Sequence, residues 1–503
     1  MIAEQAEVDT IVTTKRHKKI VLTTLNAKYV HASLGLRYLY ANMRELQHDT
    51  AMHEYSINAR TGDIAESLVQ YRPAIIGFGV YIWNVNETLA LIRLLRQILD
   101  NVVIVLGGPE VSYETKQQEI VTYADYVLCG QADIAFAQLC RKIFSANQTI
   151  EKIQHVTVDC LDDLLSPYPY YTEQDIQNRV IYIEASRGCP FKCEFCLSAL
   201  DKTSIPFHLD NFLVQLEKLF ARGARQFKFV DRTFNLKISN SQKILNFFLN
   251  KLIQFPHLEK ELFVHFEIIP DRLPEQLKEL IIQFPSGSLQ FEIGIQTFNS
   301  GVQKLISRKQ DNQQSKENLI WLRENTKAHL HADLIAGLPG ENWDSFANGF
   351  NQLVKLAPHD IQLGILKRLK GTPVIRHTAT FKLKFNQQPP YDILSTNCLS
   401  YQQIRDLGRF ARYWEIISNS GHFNNTLELL LGDNPFQQFY QFSCWLYKYS
   451  ENTHRFSLRK LFDLIYLGGQ YLGIEAPLLW DSLWMDYQQA GLKGKPEFMK
   501  TQN

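Results

Sequence analysis

No apolar stretch in this chain approaches the roughly 20 residues that a membrane-spanning helix requires. The longest candidate, residues 74–83, contains Gly77, Gly79 and Tyr81 and reads as a buried strand. The N-terminus is polar and lacks the apolar core of a signal peptide, so a cytoplasmic protein without a membrane partner is expected. Cysteine is sparse, 8 in 503 residues, which excludes a disulfide scaffold. A net charge of +1 excludes a general polyanion binder, and no general nucleic-acid binding is expected. The basic run Lys15-Arg16-His17-Lys18-Lys19 reads as a solvated lead-in to the first strand. No internal repeat or low-complexity segment is evident, and no G-x-G-x-x-G follows the first apolar run. What remains is ordinary globular composition in a chain too long for one core, so two or three domains are expected.

Residues 1–160 form the first expected domain. Near-continuous apolar runs at 19–24, 74–80, 102–106 and 126–128, with a weaker one at 50–55, alternate with helical patterns such as residues 86–99. Buried strands alternating with helices predict an α/β fold with a doubly wound parallel sheet. Ligands of such sheets bind beyond the carboxyl ends of the strands. Those ends carry Leu25, Asn26 and Tyr29 after the first strand, Tyr81 after the third, Gly107-Gly108-Pro109-Glu110 after the fourth and Gly130 after the fifth. A linker at 161–179 contains Pro167 and Pro169 and reads as a semi-rigid connector. Residues 180–375 show six strand-like runs with helices between, which predict a partial (β/α)6 barrel. Residues 376–503 lose the alternation and read as a mainly helical domain, with Trp414, Trp445, Trp480 and Trp484 as core anchors.

The most specific pattern follows the first strand of the second region. Cys189, Cys193 and Cys196 stand in the run Arg187-Gly188-Cys189-Pro190-Phe191-Lys192-Cys193-Glu194-Phe195-Cys196. Three thiolates can hold three irons of a [4Fe–4S] cluster and leave the fourth iron open to a ligand. A structural zinc site would be closed by a fourth ligand. The nearest downstream histidine, His208, lies beyond Pro206 at no usual zinc-finger spacing.

This run resembles the signature loop of the radical S-adenosylmethionine (SAM) superfamily. With the Gly107–Glu110 element upstream, the chain resembles the cobalamin-binding-domain radical SAM proteins, in the branch with an uncharacterised C-terminal domain. The resemblance implies a [4Fe–4S] cluster on Cys189, Cys193 and Cys196, SAM, cobalamin, and a reductant of the flavodoxin or ferredoxin kind. It places Phe195 along the adenine of SAM, and Asp231 opposite its amino group. Glu292 and Gln296, in Glu292-Ile293-Gly294-Ile295-Gln296-Thr297, become candidates for its ribose or carboxylate. Gly337, Leu338 and Pro339, in a turn that resembles D-x-I-x-G-x-P-G-E, fall near the adenine. Arg232 departs from the Asp-Asp-x-Phe pattern that relatives often show. Leu25, Asn26, Tyr29, Tyr81, Gly107, Gly108, Pro109, Glu110 and Gly130 become cobalamin candidates. The D-x-H-x-x-G motif is absent, so no histidine is expected beneath cobalt; His31 has no aspartate at the required spacing.

The implied activity is radical SAM chemistry on an unidentified substrate, methyl transfer or rearrangement. No general base or radical relay is assigned; Tyr81, Tyr182 and His265 are further pocket candidates. Two other readings stay open. A methylthiotransferase acting on RNA or protein needs three more cluster cysteines in the first domain, where Cys129 and Cys140, with Cys160 in the linker, are the candidates. A non-catalytic iron–sulfur or corrinoid sensor needs no substrate at all.

Overall fold

A computed structural model describes residues 19–145, 149–494 and 496–497. Most of the basic run at 15–19 lies outside the described residues. The chain divides into two compact units, one ending at Arg179 and one beginning at Val180.

The first unit holds six parallel strands in the order β2-β1-β3-β4-β5-β6. They are β1 (Ile20–Asn26), β2 (Thr50–Ser56), β3 (Ile75–Gly79), β4 (Val103–Gly107), β5 (Tyr126–Gly130) and β6 (Ile153–Val156). Periodicity does not disclose β6, whose short run Ile153-Gln154-His155-Val156 mixes apolar and polar residues. Every residue of β1 is buried, because helices cover both faces of the sheet. Val21 and Leu25 pack on one side with Ile64 and Leu68 of helix Thr61–Val69, and Leu91 and Ile92 of helix Val85–Ile98. Ile20 and Leu22 pack on the other side with Leu36 of helix Leu34–Ala41 and Phe136 of helix Ala135–Ser145. Strand order reverses at β1/β3, which opens a crevice at their carboxyl ends.

The expected connector is part of this unit. Tyr168 and Tyr171 are buried, and helix Glu173–Asn178 is held by a capping box between Thr172 and Asp175. Asp175 accepts from buried Arg37 at 2.8 Å, and Arg37 also pairs with Glu54 at 2.7 Å. Arg179 reaches Glu54 at 3.1 Å, and Tyr171 covers the Arg37 guanidinium at 4.4 Å. Two arginines and two carboxylates therefore neutralise one another out of water. Ion pairs fasten the segment that the two prolines marked as a semi-rigid connector.

The second unit holds a six-stranded parallel sheet in the order β14-β13-β12-β11-β10-β7. Its strands are β7 (Ile181–Ile183), β10 (Gln226–Phe229), β11 (Phe263–Ile268), β12 (Leu289–Gln296), β13 (His329–Ala336) and β14 (Asp360–Ile365). Two short antiparallel ribbons accompany it, β8 (Ser186–Arg187) with β9 (Ile205–Pro206), and β15 (Lys384–Phe385) with β16 (Ile393–Ser395). Helix Leu209–Ala221 begins after His208, with no side-chain cap. Alternate residues of β12 and β13 are buried and half-buried. On one face Phe266 lies tilted against Phe229 and stacked with Phe291, and Phe229 meets Phe248 of helix Ile238–Gln254 edge-on, while the other face is polar.

The C-terminal helices run from Tyr401–Ile417 to Ala476–Gln489. They join the barrel through helix Trp343–Lys355, whose Phe350 meets Phe410 at 5.1 Å and Trp414 at 4.8 Å. Trp414 is a core anchor, whereas Trp445, Trp480 and Trp484 are only half-buried. Among the described residues no helix is long and apolar enough to cross a membrane.

Removing one partner of a buried charge cluster leaves the others uncompensated. Arg37→Met is expected to destabilise the first unit by roughly 3–5 kcal/mol. Amide hydrogen exchange in β1 and β2 should accelerate accordingly; unchanged protection would show that Glu54 and Asp175 do not depend on Arg37.

Candidate functional site

In a parallel sheet all carboxyl ends lie together, so the loops after the six barrel strands share one end. The cysteine run follows β7 and is pinned at its start by the β8–β9 ribbon. The amide of Cys189 donates to Asp201 O at 3.0 Å, and that of Cys196 to Cys193 O at 3.1 Å. Cys189, Cys193 and Cys196 are free thiols and line one cavity with Phe191, Phe195, Arg232, Glu292, Gln296 and Arg308. The apolar side of that cavity is Ile268, Ile269 and Pro270.

The donor set fits a cluster better than a single ion. In a cluster each of three irons takes its own thiolate, so the cysteines surround a space. Among the described residues no three His, Cys, Asp or Glu side chains converge as one zinc ion requires.

The loop is held from its middle by Glu194, a residue that sequence reasoning passed over. Glu194 is 2% exposed. Its carboxylate accepts from Ser307 Oγ at 2.5 Å, from His377 Nε2 at 2.9 Å and from the Arg376 guanidinium. Its amide donates to Ile306 O at 3.0 Å, and its carbonyl accepts from Val374 N at 2.9 Å. An acidic residue between two cysteines was the visible signal. Its partners lie more than 110 residues away, so nothing local disclosed them.

The polar face of the sheet carries a row of ionisable groups. Register places Glu267, Glu292, His331 and Asp360 side by side on β11 to β14. Burial opposes ionisation of Glu292, but the hydrogen bond from His265 Nε2, 3.1 Å away, and the Lys228 ammonium hold its carboxyl down to about 2. Burial likewise disfavours the His331 cation, yet Asp333 at 3.3 Å and Asp360 at 3.6 Å raise the imidazole to about 10. Arg232 pairs with Glu267 at 2.5 Å, so a cation–carboxylate contact stands where relatives often show a second aspartate.

The structure separates the expected SAM residues into two groups. Phe195, Glu292 and Gln296 line the cavity, and Gln296 adopts a positive φ of 67° at the end of β12. Asp231, Gly337, Leu338 and Pro339 are not among its lining residues. Asp231 is buried and both of its oxygens are engaged, Oδ2 by the Ala185 amide at 2.9 Å and Oδ1 by Ser186 Oγ at 2.5 Å. It ties the β10 end to the β7 end, the local hydrogen-bonding role that competes with a ligand contact. Gly337 faces the C-terminal segment: a Cβ there would lie 2.6 Å from Ile393. Its turn is anchored by Glu341, which accepts from Thr297 Oγ1 at 2.6 Å. His265 lies behind Glu292 as its partner, and Tyr182 sits on β7 in register with Lys228.

In the first unit the expected cobalamin residues all fall at or just beyond the carboxyl ends of β1, β3, β4 and β5. Asn84, absent from the expected set, fastens this end. It is fully buried, donates to Leu25 O at 2.9 Å and accepts from the Tyr81 amide at 2.8 Å. Asn26 donates to Glu54 at 2.6 Å and to His31 O at 2.8 Å, which connects the crevice loop to the buried ion cluster. Tyr81 stacks on half-exposed Trp83 at 4.4 Å, and Tyr29 is exposed beside Arg179. Glu110 is buried behind the Gly107–Pro109 turn. Gly108 has φ 104°, and a Cβ there would meet the Val80 carbonyl at 2.5 Å. Close approach of the neighbouring β3 end therefore already demands glycine, apart from any ligand. Gly130 likewise lies against Val156 O.

The His331 assignment can be read directly. A folded-state value raised above the ordinary 6.5 means that His331 stabilises the fold fully below about pH 6.5 and loses that contribution as pH rises toward 10. Imidazole resonances of His331 should show no titration midpoint between pH 5 and 8.5; a midpoint near 6.5 would refute the carboxylate clamp.

With this geometry in place, comparison with known proteins is specific. Residues 20–140 match the B12 binding domain, 183–353 the Radical SAM superfamily, and 379–502 a protein family of unknown function, DUF4080. The cobalamin-dependent radical SAM methyltransferase TokK of Streptomyces tokunonensis is 21% identical over 389 residues, covering 70% of this chain and 56% of TokK. The ribosomal protein uS12 methylthiotransferase RimO of Pelobacter propionicus is 27% identical over 202 residues, 38% of this chain and 43% of that protein. The chain spans about half the length of the curated relatives it matches. The structure of the cobalamin-dependent S-adenosylmethionine radical enzyme OxsB, with aqua-cobalamin and S-adenosylmethionine bound, shares the fold. Its TM-score is 0.64 at 12% identity, over 95% of this chain and 82% of that one. The three-cysteine cavity and these three consecutive matches give the chain a radical SAM domain, an N-terminal B12-binding domain and a C-terminal domain of the DUF4080 family.

Proposed function

We propose that the chain is a cobalamin-dependent radical SAM enzyme that methylates an unidentified substrate. The observation that carries this reading is the gathering of three free cysteines, Phe195, Glu292 and Gln296 around one cavity at the carboxyl end of the barrel sheet. When bound, a [4Fe–4S] cluster supplies one-electron cleavage of SAM, and cobalamin supplies a cobalt that can carry a methyl group. Cys189, Cys193 and Cys196 hold the cluster. Phe195 lies along the adenine. Glu292, kept ionised by His265 and Lys228, accepts hydrogen bonds from the ammonium or ribose hydroxyls of SAM. Gln296 adds an amide on the same strand end. Ile268, Ile269 and Pro270 keep water from the reacting side of the cavity. In the first unit, the Gly107–Glu110 turn and the β1 and β3 ends receive a corrin, with no histidine of a D-x-H-x-x-G motif available beneath cobalt. A one-electron donor of the ferredoxin or flavodoxin class supplies the reducing equivalent.

Methylthiotransferase relatives favour a second reading, in which the first unit holds another cluster. The cysteines there oppose it. Cys129 packs in the core on one face of the sheet, Cys140 in the core on the opposite face, and Cys160 is exposed. A sheet lies between two of the three required ligands, and one cluster cannot bridge it.

Anaerobic reconstitution of the full chain with iron, sulfide and hydroxocobalamin tests the proposal. The expected product is a protein that binds both iron and cobalt and releases 5′-deoxyadenosine from SAM. Combined Cys189→Ala, Cys193→Ala and Cys196→Ala should abolish iron retention and SAM cleavage while corrinoid binding persists. Full iron retention in that variant would overturn the cluster assignment, and failure of the folded, clustered wild type to bind any corrinoid would overturn the cobalamin assignment.

A further inference from the structure

One segment of the second unit grips two loops at the carboxyl end of the barrel sheet, the loop after β7 and the turn after β13. It runs through Pro373–His377 and helix Thr378–Phe381. Val374 N donates to Glu194 O at 2.9 Å, and Arg376 and His377 hold the Glu194 carboxylate between two of the cysteines. Phe381 rests instead on the Gly337–Glu341 turn, where a Cβ added at Gly340 would lie 3.1 Å from its ring. Ile393 of β16 and Ile404 of helix Tyr401–Ile417 lie 2.6 Å and 3.4 Å from where a Cβ of Gly337 would stand. The His377 and Phe381 rings meet edge-on, 5.7 Å between centroids, so the two grips are joined. Asn397 N donates to Phe381 O at 2.7 Å and Ile393 N to Leu366 O at 2.8 Å, which fastens the segment to the chain just beyond β14.

The gripped turn leads on to the cavity. Glu341, at its end, is buried, and its Oε1 accepts from Thr297 Oγ1 at 2.6 Å and from Ser345 Oγ at 3.2 Å. Thr297 follows Gln296, which lines the cavity with the three cysteines. Gln296 holds a φ of 67°, uncommon for a residue with a Cβ, and the β12–β13 pairing shifts register between Gly294 and Gln296. Such a conformation persists where the surrounding structure over-determines it. Thr297 supplies that constraint: its carbonyl accepts from Gln303 Nε2 at 2.8 Å, and its hydroxyl is held by Glu341. A continuous path therefore runs from Phe381 through the turn, Glu341 and Thr297 to Gln296.

We infer that residues 374–404 are a positioning element for SAM: they hold the cysteine loop at one end and, through the Gly337–Glu341 turn, the Gln296 end of β12 at the other. The start of the DUF4080 region thereby acquires a task inside the radical SAM domain. This rests on the SAM reading of the cavity proposed above. Phe381 is not among the residues that line the cavity, so it acts through the turn and not on the ligand. Truncating it frees Gly340, relaxes the Glu341–Thr297 bond and lets the Gln296 amide leave the orientation in which it meets SAM. The cysteine loop keeps its hold, because Val374, Arg376 and His377 still reach Glu194.

The test compares the full-length wild type with Phe381→Ala, Phe381→Leu and Thr297→Val. In the chain without iron, amide hydrogen exchange over residues 294–299 should quicken about tenfold in Phe381→Ala and in Thr297→Val. In the reconstituted protein, the dissociation constant for SAM should rise about tenfold in both, the loss expected for one hydrogen bond. Iron content should match the wild type, and kcat for release of 5′-deoxyadenosine should change by less than about twofold. Phe381→Leu refills most of the space and should stay within about twofold of the wild type in SAM affinity. An unchanged dissociation constant in Phe381→Ala or Thr297→Val at full iron content overturns the inference, and so does unchanged exchange over 294–299. Loss of iron in Phe381→Ala also overturns it and assigns the segment to folding. A wild type that holds its cluster but binds no SAM would instead sink the SAM reading of the cavity, independently of every variant.

Discussion

The buried carboxylate of Glu194 is the contact on which the cysteine loop depends. Between Gly188 and Cys196 the chain forms little regular secondary structure, so no ladder of backbone bonds sets its shape. At its middle the Glu194 backbone and carboxylate are satisfied instead by two segments far along the chain, 306–307 and 374–377. Burial makes each of those bonds costly to lose, because an unsatisfied carboxylate in low dielectric has nowhere to place its charge. Three thiols that would repel as thiolates are thereby held around one space. The loop that confers the chemistry is local in sequence, but what shapes it is not.

The same economy recurs in the first unit. Arg37, Glu54, Asp175 and Arg179 bring together residues of a helix, a strand and the segment leading to the barrel. Glu54 also receives Asn26 and the Ser33 amide, so the loop after β1 shares a carboxylate with that segment. In both units a buried acid fixes an irregular loop at the carboxyl end of a parallel sheet, the end at which such folds bind ligands.

Much of this architecture was legible from periodicity. Apolar runs at 74–80 and 102–106 marked strands that the structure places at Ile75–Gly79 and Val103–Gly107. They were legible because a strand buried on both faces, or alternating cleanly, leaves a pattern within one short window. β6 left none, since an edge strand of four residues is half-covered and tolerates polar side chains. Among the candidate residues, Phe195, Glu292 and Gln296 line the cavity, whereas Asp231 and Gly337 make contacts within the protein. A motif specifies residue types at strand ends, but the direction of each side chain is settled by which neighbour offers a hydrogen bond or a gap.

By itself the sequence determined the chemistry available: three closely spaced thiols, a barrel of six β/α units behind them, and a sheet domain ahead of them. Those are properties of local spacing, and spacing is written along the chain. Tertiary structure alone decided that Glu194 is clasped by Ser307, Arg376 and His377, that Arg308 reaches Cys193, and that Cys129 and Cys140 fall on opposite faces of one sheet. Each of these joins or separates residues through the packing of elements, and hydrogen-bond geometry across such distances has no counterpart in linear spacing.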